Sequence, residues 1–231
     1  MQAIPEDYWF YALNVGLWMI AIGYYFLSFA YIFTNRYIFK QKEDRQTYWL
    51  SFSLFFIFLG CGRAFYVIGD FFAIAMTSEK WIQIGTGFNW FAIGCLAIMS
   101  ATMLLDNEKI SDKVGYLMVV PPFVIGIIYP ILYPTWVAFG TPLYWIFNLG
   151  TLIGYVILIC WLFGYLAILI PGEIRKKSIW NMIGFILWFT GRTINTKFFQ
   201  TQIPWGLAIL SLISAAFVLL SLLAFSYSTR E

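Results

Sequence analysis

Seven stretches of this chain, each twenty residues or longer, run almost free of charge, with short polar loops between them. They lie near 9–33, 48–72, 81–105, 114–133, 143–169, 179–199 and 205–226. A helix of about 20 apolar residues crosses the hydrocarbon core of a bilayer, and a helix satisfies its own backbone while doing so. The pattern predicts an all-α integral membrane protein with seven transmembrane helices. Composition agrees: only 11% of residues are charged and 61% are hydrophobic, whereas soluble domains carry about 25% charged residues. No segment of soluble character is left over, so 1–231 reads as a single transmembrane domain. The fourth stretch contains Pro121, Pro122 and Pro130, which predict a kink or a frayed end.

Basic residues give a direction. Of fourteen lysines and arginines, ten fall on one side: Arg36, Lys40, Lys42, Arg45, Lys109, Lys113, Arg175, Lys176, Lys177 and Arg230. Only Lys80 and Lys197 fall on the other. The positive-inside rule then places the N-terminus outside and the C-terminus inside. The acidic start, MQAIPEDYWF, lacks the basic region and cleavage site of a signal peptide. Together with the absence of N-x-[ST] sequons, it points to a prokaryotic plasma membrane.

Several chemistries are excluded or unsupported. The chain has no histidine, so the usual haem ligand and the commonest proton shuttle are missing. Cys61, Cys95 and Cys160 sit inside apolar segments and read as packing residues, with a Cys61–Cys95 disulfide as the alternative. The inner loop DNEKISDK (106–113) is acidic enough to consider for a metal but reads as a solvated loop. No paired carboxylates and no nucleophile with its base are apparent. The sequence therefore predicts no enzyme, no cofactor, no metal and no nucleic-acid partner.

The two remaining arginines are buried in apolar sequence, as Gly62-Arg63 in the second stretch and Gly191-Arg192 in the sixth. Both stretches run from inside to outside. Phe71-Phe72 and Phe198-Phe199 follow, and Trp81 and Trp205 open the next stretches. Upstream, Tyr8-Trp9 with Asn14 and Gly16 parallels Tyr144-Trp145 with Asn148 and Gly150. The first three helices (8–105) therefore resemble the last three (143–226), with 114–133 as a linker helix. That 3+1+3 arrangement of parallel repeats is one route to a transporter. Gly150 and Gly154 form a GxxxG motif, a signal for close helix packing.

At 1.5 Å per residue, Arg63 lies roughly 22 Å and Arg192 roughly 20 Å from the inner ends of their helices. Asn14, Asn89 and Asn148 enter from the outside to a depth of roughly 8–12 Å, with Asp70 and Asn195 shallower. Arg63, Tyr66 and Asp70 follow an i, i+3, i+7 pattern and share one face of a regular helix. An arginine in a membrane is costly and marks a function by default. Guanidinium groups suit carboxylate and phosphate. We expect Arg63 and Arg192 to converge in an outward-facing polar pocket, gripping a small anionic ligand. Asn14, Asn89, Asn148, Asn195, Asp70 and Tyr66 would orient it. The structural alternative is that these side chains fasten the bundle or snorkel to headgroups.

Seven helices with an outside N-terminus resemble microbial rhodopsins and G-protein-coupled receptors in layout alone. Residues 205–226 hold no lysine, which excludes a retinal Schiff base. The 3+1+3 layout is similar to that of SWEET-type sugar transporters and their proline-glutamine-loop relatives, but no Pro-Gln pair occurs. The expected function is that of a receptor or sensor signalling to a cytoplasmic or membrane partner protein. A transporter of a small anionic solute and a non-catalytic subunit of a larger complex are the alternatives. The other expected partners are membrane lipids.

Overall fold

The structure is a computed structural model. It describes residues 8–39, 46–73, 75–104, 112–132, 140–169, 171–194 and 207–229. Among the described residues the chain is helical apart from short turns, with no strand. The helices are α1 (Tyr8–Ile32), α2 (Gln46–Val67), α3 (Ala75–Leu104), α4 (Asp112–Leu132), α5 (Pro142–Trp145), α6 (Leu152–Leu169), α7 (Glu173–Ile194) and α8 (Leu207–Thr229). Three segments widen to π-helix: Phe33–Ile38 after α1, Ile68–Phe72 after α2, and Ile146–Thr151 between α5 and α6.

Five helical runs are long and apolar enough to cross a membrane: Ala12–Ile38, Gln46–Phe72, Thr77–Thr102, Leu152–Leu169 and Ile209–Thr229. The chain thus has the helices of an integral membrane protein. The other two predicted spans are also helical over their described residues. Within α4, Leu117–Leu132 is an apolar helical run. In α7 the first turns carry Glu173, Arg175, Lys176 and Lys177.

The chain divides into two compact units, Tyr24–Leu162 and Met1–Gly23 with Phe163–Glu231. In the first, α2, α3 and α4 pack as successive antiparallel neighbours. Glycines set the spacing. A Cβ on Gly62 would lie 3.0 Å from the Gly85 carbonyl oxygen, and one on Gly85 would lie 2.8 Å from that of Gly62. Further along the same pair, a Cβ on Gly69 would meet the Ser78 carbonyl at 3.0 Å, and Ser78 Oγ donates to the Gly69 carbonyl at 2.8 Å. Between α3 and α4, a Cβ on Gly87 would lie 2.8 Å from the Gly126 carbonyl. Small residues let membrane helices touch backbone to backbone, where dispersion rather than water exclusion holds them. Rings fill the wider gaps. Phe65 stacks on Trp81 at 5.8 Å and on Phe88 at 5.3 Å, and Phe91 stacks on Phe123 at 6.0 Å. Phe52, Phe55 and Phe56 are fully buried.

The prolines do not break α4. Pro122 has no N–H to offer the carbonyl four residues back, that of Met118. The Tyr155 hydroxyl donates to that carbonyl instead, at 2.9 Å. A neighbouring helix thus supplies the missing donor, the usual remedy for proline in a membrane helix. The GxxxG expectation fares differently. Among the described residues, a Cβ on Gly154 would meet nothing within 4 Å, and one on Gly150 would meet only the carbonyl of Trp145, five residues earlier, at 4.0 Å. Close packing falls on glycines whose partners lie on other helices.

In the second unit, α7 and α8 form an antiparallel pair. A Cβ on Gly191 would lie 2.9 Å from the Ser214 carbonyl, and one on Gly184 would lie 2.6 Å from the Phe225 ring. Trp180 stacks on Tyr227 at 5.1 Å. Ser214, Ser221 and Ser228 recur every seven residues and are all buried. Gly172, at φ +85°, makes the turn into α7, a conformation that glycine adopts without steric cost.

Candidate functional site

The Gly62-Arg63 pair has a clear local geometry. Gly62 is the contact point between α2 and α3, so Arg63 leaves α2 one residue past the closest approach. Its guanidinium lies over the Tyr66 ring, 5.8 Å from the centroid, a cation–π contact worth about 0.5–1 kcal/mol where exposed and more when desolvated. Tyr66 carries the interaction on to α3. Asn89 Nδ2 donates to the Tyr66 hydroxyl at 3.0 Å, and that hydroxyl lies 2.8 Å from Thr86 Oγ1. Thr86 has one hydroxyl hydrogen, which it gives to the Ile82 carbonyl at 2.9 Å. Tyr66 must therefore donate to Thr86. The order of donation is Asn89, Tyr66, Thr86, Ile82, with Asn89 and Thr86 each only 6% exposed. Tyr66→Phe removes the middle of this chain and leaves the ring under Arg63. It should cost about 1 kcal/mol, typical of an interhelical hydrogen bond in a membrane protein, measured by SDS titration of the reconstituted protein.

The other predicted site residues are distributed as follows. Asp70 lies in the π-helical turn Ile68–Phe72 and is exposed. The i, i+7 spacing from Arg63 assumes an unbroken α-helix, and a π turn inserts an extra residue and changes the phase. Asn14 is 4% exposed and accepts a hydrogen bond from Ser211 Oγ at 2.8 Å. Ser211 in turn accepts from Trp18 Nε1 at 2.9 Å. This Trp18–Ser211–Asn14 relay ties α1 to α8 within the second unit. Arg192 belongs to the same unit, in the last turn of α7. Its guanidinium is 5.8 Å from the Trp188 ring centroid, and its Nη1 is buried with no hydrogen-bond partner among the described residues. Asn148 falls in the π segment Ile146–Thr151, its side chain outside the described residues, as is the whole of Asn195. Arg63 and Arg192 lie in different units.

Sequence reasoning missed two polar positions on α3 and misread a third on α1. Thr86 joins the relay described above. Gln83, one turn away, is 8% exposed, and its Oε1 has no hydrogen-bond partner among the described residues. Both were hidden by their small polarity within an apolar helix. Arg36, counted among the loop cations, lies instead in the π-helical extension of α1. It is 6% exposed, with its guanidinium 5.5 Å from the Trp49 ring centroid. The three cysteines are free thiols, which removes the disulfide alternative. Among the described residues no three histidine, cysteine or acidic side chains group as a metal site. Residues 105–111 of the acidic loop lie outside the described residues.

No protein family, curated protein or solved structure matches this chain.

Proposed function

We propose that the chain is a seven-helix receptor or sensor of a prokaryotic plasma membrane, with its N-terminus outside, that binds a small anionic ligand from the outer side. The observation that carries this reading is the Arg63–Tyr66–Thr86–Asn89 cluster. A guanidinium held in an apolar helix pair, stacked on a tyrosine whose hydroxyl bonds two residues of the next helix, joins anion affinity to the packing of that pair. Binding at Arg63 changes the load on Tyr66 and hence on the α2–α3 contact. A partner at the inner face would read the change.

The transporter alternative has one observation in its favour. Gly85 follows the contact glycine Gly62 by 23 residues, and Ser214 follows Gly191 by the same 23. In both hairpins the contact glycine directly precedes a half-buried arginine. This shared geometry supports the internal duplication on which that reading depends.

The test is a thermal-shift screen of the detergent-solubilised protein against small carboxylates and phosphates. A binder should raise the melting midpoint by several degrees, and Arg63→Gln should abolish the rise while lowering the ligand-free midpoint by no more than the loss of one cation–π contact. Arg192→Gln tests in the same way whether the second arginine shares the charge. If Arg63→Gln fails to fold, fastening the bundle is the better account. Uptake of a stabilising anion into proteoliposomes would favour the transporter.

A further inference from the structure

Helix α3 presents three distinct buried faces. Gly85 and Asn89 face α2, where a Cβ on Gly62 would meet the Gly85 carbonyl at 3.0 Å and Asn89 Oδ1 at 3.2 Å. Gly87 and Gly94 face α4, against Gly126 and Phe123. Between these lies a third face with Gln83, Thr86 and Trp90 at i, i+3 and i+7. All three residues are buried, at 8%, 6% and 0% exposure. Thr86 is satisfied by Tyr66 and Ile82. Gln83 Oε1 and Trp90 Nε1 are buried with no hydrogen-bond partner among the described residues. An amide oxygen sealed from water and left unbonded costs about 1–3 kcal/mol, so a native structure that keeps one needs a reason.

The antiparallel register places that oxygen level with Arg63. Gly62 meets Gly85, and Phe65 stacks on Trp81, so Arg63 sits at the height of Gln83 and Ile84. Arg63 also lies over the Tyr66 ring, 5.8 Å from its centroid, and the hydroxyl of that ring is bonded to Thr86 of the third face. A bare carboxylate would use the guanidinium donors and leave Gln83 Oε1 unbonded. A carboxylate that also carries an N–H donor satisfies both.

We infer that the ligand of the Arg63 site is a small carboxylate bearing an N–H donor, the α-amino acids being the simplest members of the class, with Gln83 Oε1 accepting from the nitrogen. This rests on the reading of Arg63 as an anion site. It adds that specificity lies in Gln83. A site built to bond a ligand's N–H discriminates strongly against an analogue lacking it, since the buried acceptor then stays unpaired.

Three probes of one carbon skeleton test the inference on the full chain in detergent: leucine, 4-methylpentanoate and 3-methylbutylamine. Leucine is expected to raise the melting midpoint, and 4-methylpentanoate is expected to bind at least tenfold more weakly. The amine alone should give no shift. Gln83→Met keeps the side-chain volume and removes the acceptor, so it should close the gap between leucine and 4-methylpentanoate. Equal stabilisation by those two in the unmodified protein overturns the inference and leaves the anion site standing. A gap that persists in Gln83→Met also overturns it. No shift with any probe overturns it together with the anion reading of Arg63. The comparison within the unmodified protein decides the matter even if Gln83→Met fails to fold.

Discussion

Gly85→Val is expected to yield no monodisperse protein, because the side chain has nowhere to go. Its Cβ alone would lie 2.8 Å from the Gly62 carbonyl oxygen and 3.4 Å from the nearest atoms of Phe65 and Tyr66. The first of these is backbone, which cannot change rotamer. Relief requires α2 and α3 to separate, which gives up the contact at Gly62 and strains the hydrogen bonds of Tyr66 to Thr86 and Asn89. Overpacking in a filled core typically costs about 1–3 kcal/mol, and parting two helices along a glycine seam should exceed that range. Gly85→Ala should be milder, lowering the melting midpoint yet leaving folded protein. Gly154→Leu is the control, since nothing among the described residues lies within 4 Å of a Cβ there; its midpoint should stay within error of the parent. Size-exclusion profiles and thermal melts in one detergent rank the three. A well-behaved Gly85→Val protein would mean that the α2–α3 seam is not as drawn.

Trp18→Ala is expected to have the next largest effect. Trp18 is 1% exposed and donates to Ser211 Oγ at 2.9 Å. The substitution opens a cavity the size of an indole and removes one partner of the Ser211–Asn14 pair. Large-to-alanine changes at aromatic core positions cost about 3–5 kcal/mol in soluble proteins, and the packing part of that cost survives in lipid. The polar part can be separated. Trp18→Phe keeps most of the ring and loses only the N–H, so it should cost about 1 kcal/mol. An alanine variant no worse than the phenylalanine variant would show that indole volume contributes little. Unfolding by SDS titration gives both values on one scale.

Much of the architecture could be read directly from the residues. The apolar stretches near 9–33 and 48–72, and the described part of 205–226 from Leu207 on, became long helices because nothing within them competes with a helix in lipid. Arg63 and Tyr66 were paired from their spacing of three, and they do meet. Three kinds of information escaped. The π turn Ile68–Phe72 that follows α2 is not written in residue type. The contacts of Gly62, Gly87 and Gly191 depend on partners one helix away, so a motif confined to one helix, such as Gly150-x-x-x-Gly154, pointed to the wrong glycines. The fate of Pro122 turned on Tyr155, 33 residues downstream, whose hydroxyl no periodicity argument could assign.

The α2–α3 pair has one further mechanical consequence. Toward Gly69 its two backbones are clamped, glycine to carbonyl. On the other side of Gly62 the spacers are rings, with Phe58 5.6 Å from Phe91 and 6.2 Å from Phe88. A clamp transmits force without yielding, whereas phenyl groups can tilt. If Arg63 takes a ligand as proposed, a pull on its guanidinium would part the pair more readily on the Phe58 side, where among the described residues no glycine meets a carbonyl of the facing helix, than toward Gly69.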